Sequence, residues 1–239
     1  MDNQDHLQKW KRDEVERFLR ERAKKAHPVS IPEKIKFIEG ILKEIQEDPQ
    51  LKIDVPETLF SGEEYEKKRQ IENPKFQFRP AAILLCTSNQ HVQLGILLAD
   101  VLNLEIRVRS GGHDHEGECS GTDALVIDFR NLNHIEYYKE GYKEAQDVVH
   151  IGPGAVFDKI VAFLNDTGIG IPHGTCGTVG IAGFTFGGGW GPWTRKEACA
   201  VKVLSGLPWC GLTVAFSNSR RMEPRNRENC SGRSEAGAE

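Results

Sequence analysis

Two glycine-rich stretches decide the fold of this chain: Arg109-Ser110-Gly111-Gly112-His113-Asp114-His115-Glu116-Gly117 and, further along, Gly174-Thr175-Cys176-Gly177-Thr178-Val179-Gly180. Glycine lets backbone N–H groups approach an anion closely, so such turns suit a phosphate-bearing cofactor. Each turn also contains one nucleophilic side chain, His113 in the first and Cys176 in the second. Both residue types can bond covalently to an electrophilic ring. We therefore interpret the pair as a flavin site.

The distribution of glycine along the chain supports a large flat ligand. Of the 24 glycines, 17 lie between positions 111 and 191. Close backbone approach is therefore concentrated in one third of the sequence.

Composition and charge exclude several classes of partner. The chain has 239 residues, 38% of them hydrophobic, and a net charge of −4. A core can form, but no basic field is present to hold nucleic acid or an anionic membrane. The N-terminus lacks the apolar core of a signal peptide, so we expect a cytoplasmic protein. The six cysteines are too sparse for a disulfide scaffold and are interpreted as mostly free thiols.

Residues 1–56 are predicted to form a helical N-terminal extension. Spaced apolar residues indicate a helix over Gln4–Lys25 and a second one over Ile35–Ile45, after Pro28 and Pro32. The two helices either pack on the main domain or offer an oligomerisation surface, and the sequence leaves both alternatives open.

Residues 57–196 alternate short apolar runs with helical segments, which is typical of an α/β arrangement. Ser88 or Asn89 would cap the helix Asn89–Leu102. The first glycine-rich loop follows a strand, at the edge where ligands bind in α/β sheets. Predicted strands lie at Ala81–Cys86, Glu105–Val108, Ala124–Asp128, Ile135–Tyr138 and Val148–Ile151, with another helix over Ala155–Asn165.

Common nucleotide and hydrolase motifs are missing from the sequence. Gly152-Pro153-Gly154 has no third glycine at the dinucleotide-fold spacing, and no P-loop lysine follows any glycine run. There is also no His-Glu-x-x-His helix and no Gly-x-Ser-x-Gly turn. These patterns disfavour a Rossmann dehydrogenase, a kinase and the usual hydrolases.

Several ordered motifs together resemble the FAD-binding domain of berberine bridge enzyme-like oxidoreductases, in the superfamily of vanillyl-alcohol oxidase and p-cresol methylhydroxylase (PCMH). The resemblance runs from about Leu59 to Lys196. The motifs are Tyr65, Arg69, Asn73 and Pro80, then Ser110-Gly111-Gly112-His113-Asp114, Leu125-Val126-Ile127-Asp128, Gly152-Pro153-Gly154-Ala155, Gly174 to Gly180, and Gly187 to Gly191.

This resemblance implies an α+β fold, a PCMH-type FAD-binding domain. It implies that His113 attaches to the 8α methyl of FAD and that Cys176, as in bicovalent members, bonds to ring carbon 6. Backbone amides of Ser110–Asp114 and Thr178–Gly183 would neutralise the pyrophosphate. The predicted cofactor-binding residues are Arg109, Ser110, Gly111, Gly112, His113, Asp114, Gly174, Cys176, Thr178, Val179, Gly180, Gly183 and Gly188.

The resemblance further implies hydride transfer from a substrate C–H, in an alcohol, sugar or amine, to flavin, which dioxygen reoxidises. In relatives the general base comes from a later region of the chain, so no catalytic residue is assigned here. Residues 197–239 depart from the family pattern, and we expect a truncated domain with a poorly ordered tail.

Two other functions stay open. The chain could be a non-catalytic, flavin-binding fragment, or a zinc module that uses His113, His115 and Cys119. Trp190 and Trp193 are predicted to be packing residues rather than substrate contacts.

Overall fold

The computed structural model describes residues 11–51, 53–139, 148–197, 199–200, 204–206 and 214–216. The helices are α1 Arg12–Ala26, α2 Ile31–Glu47, α3 Gly62–Lys68, α4 Asn89–Leu102, α5 Phe157–Leu164, α6 Ile181–Phe186 and α7 Thr194–Glu197, with a 3-10 turn at Asn165–Thr167. The strands are β1 Glu57–Leu59, β2 Ala82–Leu85, β3 Ile106–Arg109, β4 Leu125–Asp128, β5 Ile135–Tyr138, β6 Val148–Ile151, β7 Leu204–Gly206 and β8 Val214–Phe216.

The first sheet has the strand order β1-β2-β4-β3. Strands β2 and β3 both pair in parallel with β4, whereas β1 pairs antiparallel with β2. All four residues of β2 and of β4 are buried, because parallel strands are covered on both faces. The sequences are apolar throughout apart from Asp128 at the end of β4. We call this sheet, with helices α1 to α4, the first lobe.

Helix α4 covers one face of the first sheet, and the N-terminal helices pack on it. The Ser88 hydroxyl caps α4 by accepting a hydrogen bond from the His91 N–H at 3.3 Å. Helices α1 and α2 bury Val15, Leu19, Ile38 and Ile45 in the same core as α4. The predicted N-terminal extension is therefore part of the first lobe's core. Of the two alternatives for these helices, the structure shows packing on the main domain.

Two helix boundaries differ from the sequence prediction. Helix α1 begins at Arg12 rather than Gln4, and residues 4–10 of the prediction lie outside the described residues. Helix α2 begins before Ile35, because Pro32 occupies its first turn and a Ser30/Glu33 capping box closes its start. Proline breaks helix interiors but is tolerated in the first turn, where its missing N–H would have no intrahelical partner.

The second sheet has the order β5-β6-β8-β7 and is antiparallel throughout. Its apolar face packs against α5, whose Phe157, Ile160 and Leu164 are buried, and against the turn that leads to α6. We call this sheet, with α5 to α7, the second lobe. Strands β7 and β8 lie within 197–239, so part of the segment predicted as a tail contributes to this sheet.

The two sheets, one mainly parallel and one antiparallel, confirm the predicted α+β fold. In the part of the chain that is described, no helix is long and apolar enough to cross a membrane.

Candidate cofactor site

The first glycine-rich loop leaves the sheet at a buried ion pair. Arg109 ends β3 and lies beside Asp128, the last residue of β4. The Nη2 atom of Arg109 is 2.7 Å from the Asp128 carboxylate, and both side chains are almost fully buried. Arg130 donates to the same carboxylate at 2.6 Å, so one buried anion is held by two cations.

Charge and burial shift the pKa values in this cluster in opposite directions. Burial raises the pKa of the Asp128 carboxyl, but the Arg130 hydrogen bond and the charges of Arg109 and Arg130 outweigh it, so the pKa lies below its ordinary value. Burial lowers the pKa of the Arg109 guanidinium, and the Asp128 charge acts against this. The Arg109 side chain at the end of β3, predicted to bind a cofactor, thus binds Asp128. This ion pair fixes the position at which the first loop begins.

The first loop is held from outside by the segment that follows α3. The N–H of Glu72 donates to the Gly112 carbonyl at 3.0 Å, and the Asn73 amide donates to the His115 carbonyl at 2.9 Å. Gly112 has φ +80°, which favours glycine. The exposed Asp114 carboxylate accepts hydrogen bonds from two later backbone N–H groups, which closes the loop.

The two glycine-rich loops touch through their backbones. A Cβ placed on Gly111 would lie 2.4 Å from the Gly180 nitrogen and 2.7 Å from the Thr178 carbonyl oxygen. Ser110 donates its hydroxyl to the Pro153 carbonyl at 2.6 Å, which ties the first loop to the Gly152-Pro153-Gly154 turn as well. Only glycines allow this approach, and it joins the first lobe to the second.

The contact brings the two predicted anchors to one hydroxyl group. Nε2 of His113 lies 2.8 Å from Oγ1 of Thr178, and the same oxygen lies 3.5 Å from Sγ of Cys176. Cys176 is exposed, and 16% of the His113 side-chain surface is exposed. Two residues far apart in the sequence thus reach the same surface.

The backbone N–H groups of the first loop from Gly111 to Asp114 have no backbone acceptor among the described residues. A Cβ on Gly183 or on Gly188 would meet nothing within 4 Å, so a ligand has room beside both. These features fit an anionic, flat group such as FAD.

The remaining predicted residues support the second loop. Val179 packs against the second core, and its carbonyl accepts from the Phe157 N–H at 3.2 Å. Gly174 lies against the Phe184 ring, with a distance of 3.5 Å from its virtual Cβ. Neither has a side chain that faces the anchors.

The zinc alternative has no geometric support. His113, His115 and Cys119 are all described, and the described residues contain no group of three His, Cys, Asp or Glu side chains placed to hold a metal. Burial also raises the pKa of the Cys119 thiol, which disfavours the thiolate that binds zinc.

The two tryptophans behave differently. Trp193 packs as predicted, with its Nε1–H donated to Nε2 of His173 at 3.1 Å. Trp190 is 77% exposed, so its predicted packing role is wrong. A tryptophan within a glycine run has few neighbours to cover it.

Sequence reasoning assigned no role to Glu72, to the Pro153 carbonyl or to the side chain of Thr178, although it named the Pro153 motif and included Thr178 among the cofactor-binding residues. Glu72 lies 3.9 Å from Nε2 of His113. The order Cys-Gly-Thr offered a signal for Thr178, because side chains two residues apart in a turn can meet.

Comparisons with known proteins identify the family of this domain. A family model described as FAD binding domain matches residues 80–207, which is more than half of the chain. The chain therefore belongs to this family of FAD-binding domains. Its domain is of the PCMH type, and its relatives place it with the berberine bridge enzyme-like proteins.

Three relatives illustrate the match. A carbohydrate oxidase of Microdochium nivale is 29% identical over 74% of this chain and 34% of its own length. Berberine bridge enzyme-like 2 of Arabidopsis thaliana is 32% identical over 53% of this chain and 24% of its own length. The solved structure of BBE-like 1 from Physcomitrella patens aligns with TM-score 0.57 and 29% identity, covering 62% of this chain and 32% of that one.

The chain spans about a quarter to a third of the length of the two curated relatives. The residues that the family model matches, 80–207, include both glycine-rich loops.

Proposed function

We propose that this chain binds FAD across the contact of the two glycine-rich loops, with His113 as a covalent anchor and Cys176 as a second one. We further propose that the FAD bound by this chain acts in an oxidase reaction, which removes hydride from a C–H bond of a small alcohol, sugar or amine. Dioxygen would accept the electrons and leave as hydrogen peroxide.

One observation carries the proposal: His113 and Cys176, one from each lobe, lie within hydrogen-bonding distance of the same Thr178 hydroxyl. A bond from each side chain to one ring requires both nucleophiles on one surface. Two anchors would also fix the tilt of the ring.

The surrounding residues have roles that follow from their positions. The N–H groups of Gly111–Asp114, which donate to no backbone group among the described residues, would bind the negative charge of the pyrophosphate, and the buried Arg109–Asp128 pair would keep that loop rigid. Glu72 would offer a carboxylate beside His113 when the imidazole carries positive charge. Bound FAD would supply the redox chemistry, and these residues would orient it.

The first experiment is the absorption spectrum of the purified full chain before and after acid precipitation. Flavin bands that remain with the pellet would support covalent FAD. The variant with both His113→Ala and Cys176→Ala should release all flavin on precipitation. Flavin that stays in the double variant's pellet would overturn the covalent assignment.

The reaction is tested separately, by hydrogen peroxide release from a panel of sugars, alcohols and amines under air. The relative named a carbohydrate oxidase makes sugars the first class to try. Bound flavin with no peroxide from any substrate would contradict the oxidase and favour a non-catalytic flavin-binding domain.

A further inference from the structure

Thr178 stands between the two anchors, and its hydroxyl is the side-chain group that both contact. Oγ1 lies 2.8 Å from Nε2 of His113 and 3.5 Å from Sγ of Cys176. The Glu72 carboxylate lies 3.9 Å from the same Nε2 atom. Both groups near Nε2 can accept a hydrogen bond.

The acceptors around Nε2 select one form of the imidazole. A neutral histidine carries one N–H and one bare nitrogen, and a nitrogen that faces acceptors carries the hydrogen. Because the Glu72 carboxylate can only accept, it favours the form in which Nε2 carries the hydrogen and donates to Thr178, with the lone pair on Nδ1. The hydroxyl that accepts this bond keeps its own hydrogen, which can be turned toward the sulfur of Cys176.

We propose that Thr178 is a positioning residue for both covalent attachments: its hydroxyl holds Nε2–H of His113, leaving Nδ1 as the nucleophile, and orients Sγ of Cys176. This inference rests on the proposed covalent FAD site and adds a residue that acts through the anchors without bonding to the flavin. The hydroxyl is exposed on the second loop, so its removal disturbs no buried packing.

The bond-forming steps balance with dioxygen as oxidant. At His113, an N–C bond forms to the 8α carbon, which loses one hydrogen while the imidazole loses its N–H hydrogen. At Cys176, an S–C bond forms to ring carbon 6, and the S–H and C–H hydrogens are lost. In each case two electrons and two protons reduce one dioxygen to hydrogen peroxide. The hydrogen that His113 gives up is the one on Nε2, the atom that Thr178 holds.

The test uses the full chain prepared without flavin and then mixed with FAD under air. Intact mass measures covalent incorporation over time, and fluorescence measures total bound FAD. Thr178→Val removes the hydroxyl at nearly constant size, Thr178→Ser retains it, and Thr175→Val is a matched control in the same turn. Among the described residues, the exposed Thr175 hydroxyl takes part in no hydrogen bond.

We expect covalent incorporation to slow about tenfold in Thr178→Val, with total binding and thermal midpoint unchanged, because one oriented hydrogen bond is lost. Thr178→Ser should recover most of the rate, and Thr175→Val should equal the parent. The same slowing should appear in His113→Ala and in Cys176→Ala backgrounds, where a single linkage is measured.

A parent-like rate in Thr178→Val would overturn the inference while leaving the flavin site intact. Equal losses of total binding and thermal midpoint in that variant would also overturn it, because they indicate a structural role. If the parent chain itself never becomes covalently linked, the proposed covalent site fails. Nitrogen-15 NMR of the flavin-free chain then still tests Thr178, since His113 should carry its hydrogen on Nε2 and lose that preference in Thr178→Val.

Discussion

The two lobes position their anchors in different ways. The first lobe has a mainly parallel sheet buried under helices, and its loop starts from a buried pair of charges, Arg109 and Asp128. The second lobe has an antiparallel sheet, and its loop is fixed by backbone contacts of Gly180 and by apolar packing of Val179. The comparison teaches that one site can combine an electrostatically fixed loop with one fixed by backbone packing.

Of the substitutions that test this comparison, Asp128→Asn should change the free energy of unfolding most. It leaves two buried or half-buried guanidinium groups without their anion, so we expect a loss of about 3–5 kcal/mol in unfolding free energy, measured by urea titration. The exposed pair of Arg20 and Asp100 provides the control, because Asp100→Asn removes a solvent-screened ion pair and should cost far less. Equal losses would mean that the buried pair does not fix the first lobe.

The same carboxylate predicts an acid dependence. Because the folded pKa of Asp128 lies below its unfolded value, its contribution to stability is complete above about pH 3.9. The contribution is lost as the pH falls through the lower folded pKa. Asp128→Asn should remove this part of the acid transition.

Gly111→Ala should break the contact between the lobes. The added Cβ would lie 2.4 Å from the Gly180 nitrogen, so the loops must separate, at a cost of about 1–3 kcal/mol. Isothermal titration should show weaker FAD binding. Gly40→Ala, at an exposed position of α2 with nothing within 4 Å of the new Cβ, should be neutral or stabilising. Unchanged FAD affinity in Gly111→Ala would contradict a cofactor site at this contact.

A smaller pH effect should come from His91 in the first lobe. Its Nδ1 accepts the Thr87 N–H at 3.2 Å, and its Nε2 lies 3.0 Å from the Asp54 carboxylate. A neutral ring with its hydrogen on Nε2 satisfies both contacts. Burial lowers the pKa of His91, against the opposing effect of Asp54. The unfolded chain therefore binds this proton more readily, and stability should fall as the pH drops below about 6.5.

Thermal midpoints across pH 5 to 8 measure this effect. His91→Gln should flatten the decline, because it removes the buried imidazole whose pKa is lowered. A decline that persists in His91→Gln would place the titrating group elsewhere.

Thiol labelling compares the lobes without altering the fold. Burial raises the pKa of Cys86 in the first lobe to about 12, whereas Cys176 in the second lobe is exposed. Iodoacetamide should modify Cys176 in the native chain and Cys86 only after denaturation, as peptide mass spectrometry would show. Rapid native labelling of Cys86 would mean that the first core opens readily. Bound covalent FAD should protect Cys176.

Local sequence predicted the secondary elements well where their pattern is strong. Strands β5 and β6 have the predicted bounds, and Ser88 caps α4 as one of two candidates. The start of α2 was missed because proline breaks some helices and begins others. Trp190 was misassigned because exposure depends on neighbours that are distant in the sequence.

The sequence by itself determined the two glycine-rich loops, their nucleophiles His113 and Cys176, and the FAD-binding family, because these depend on residue types in a fixed order. Only the tertiary structure decided that Arg109 lies buried on Asp128, that Gly111 meets Gly180, and that Thr178 stands between the anchors. Such contacts join segments that are far apart along the chain. Their geometry depends on how the two lobes pack, which local periodicity does not encode.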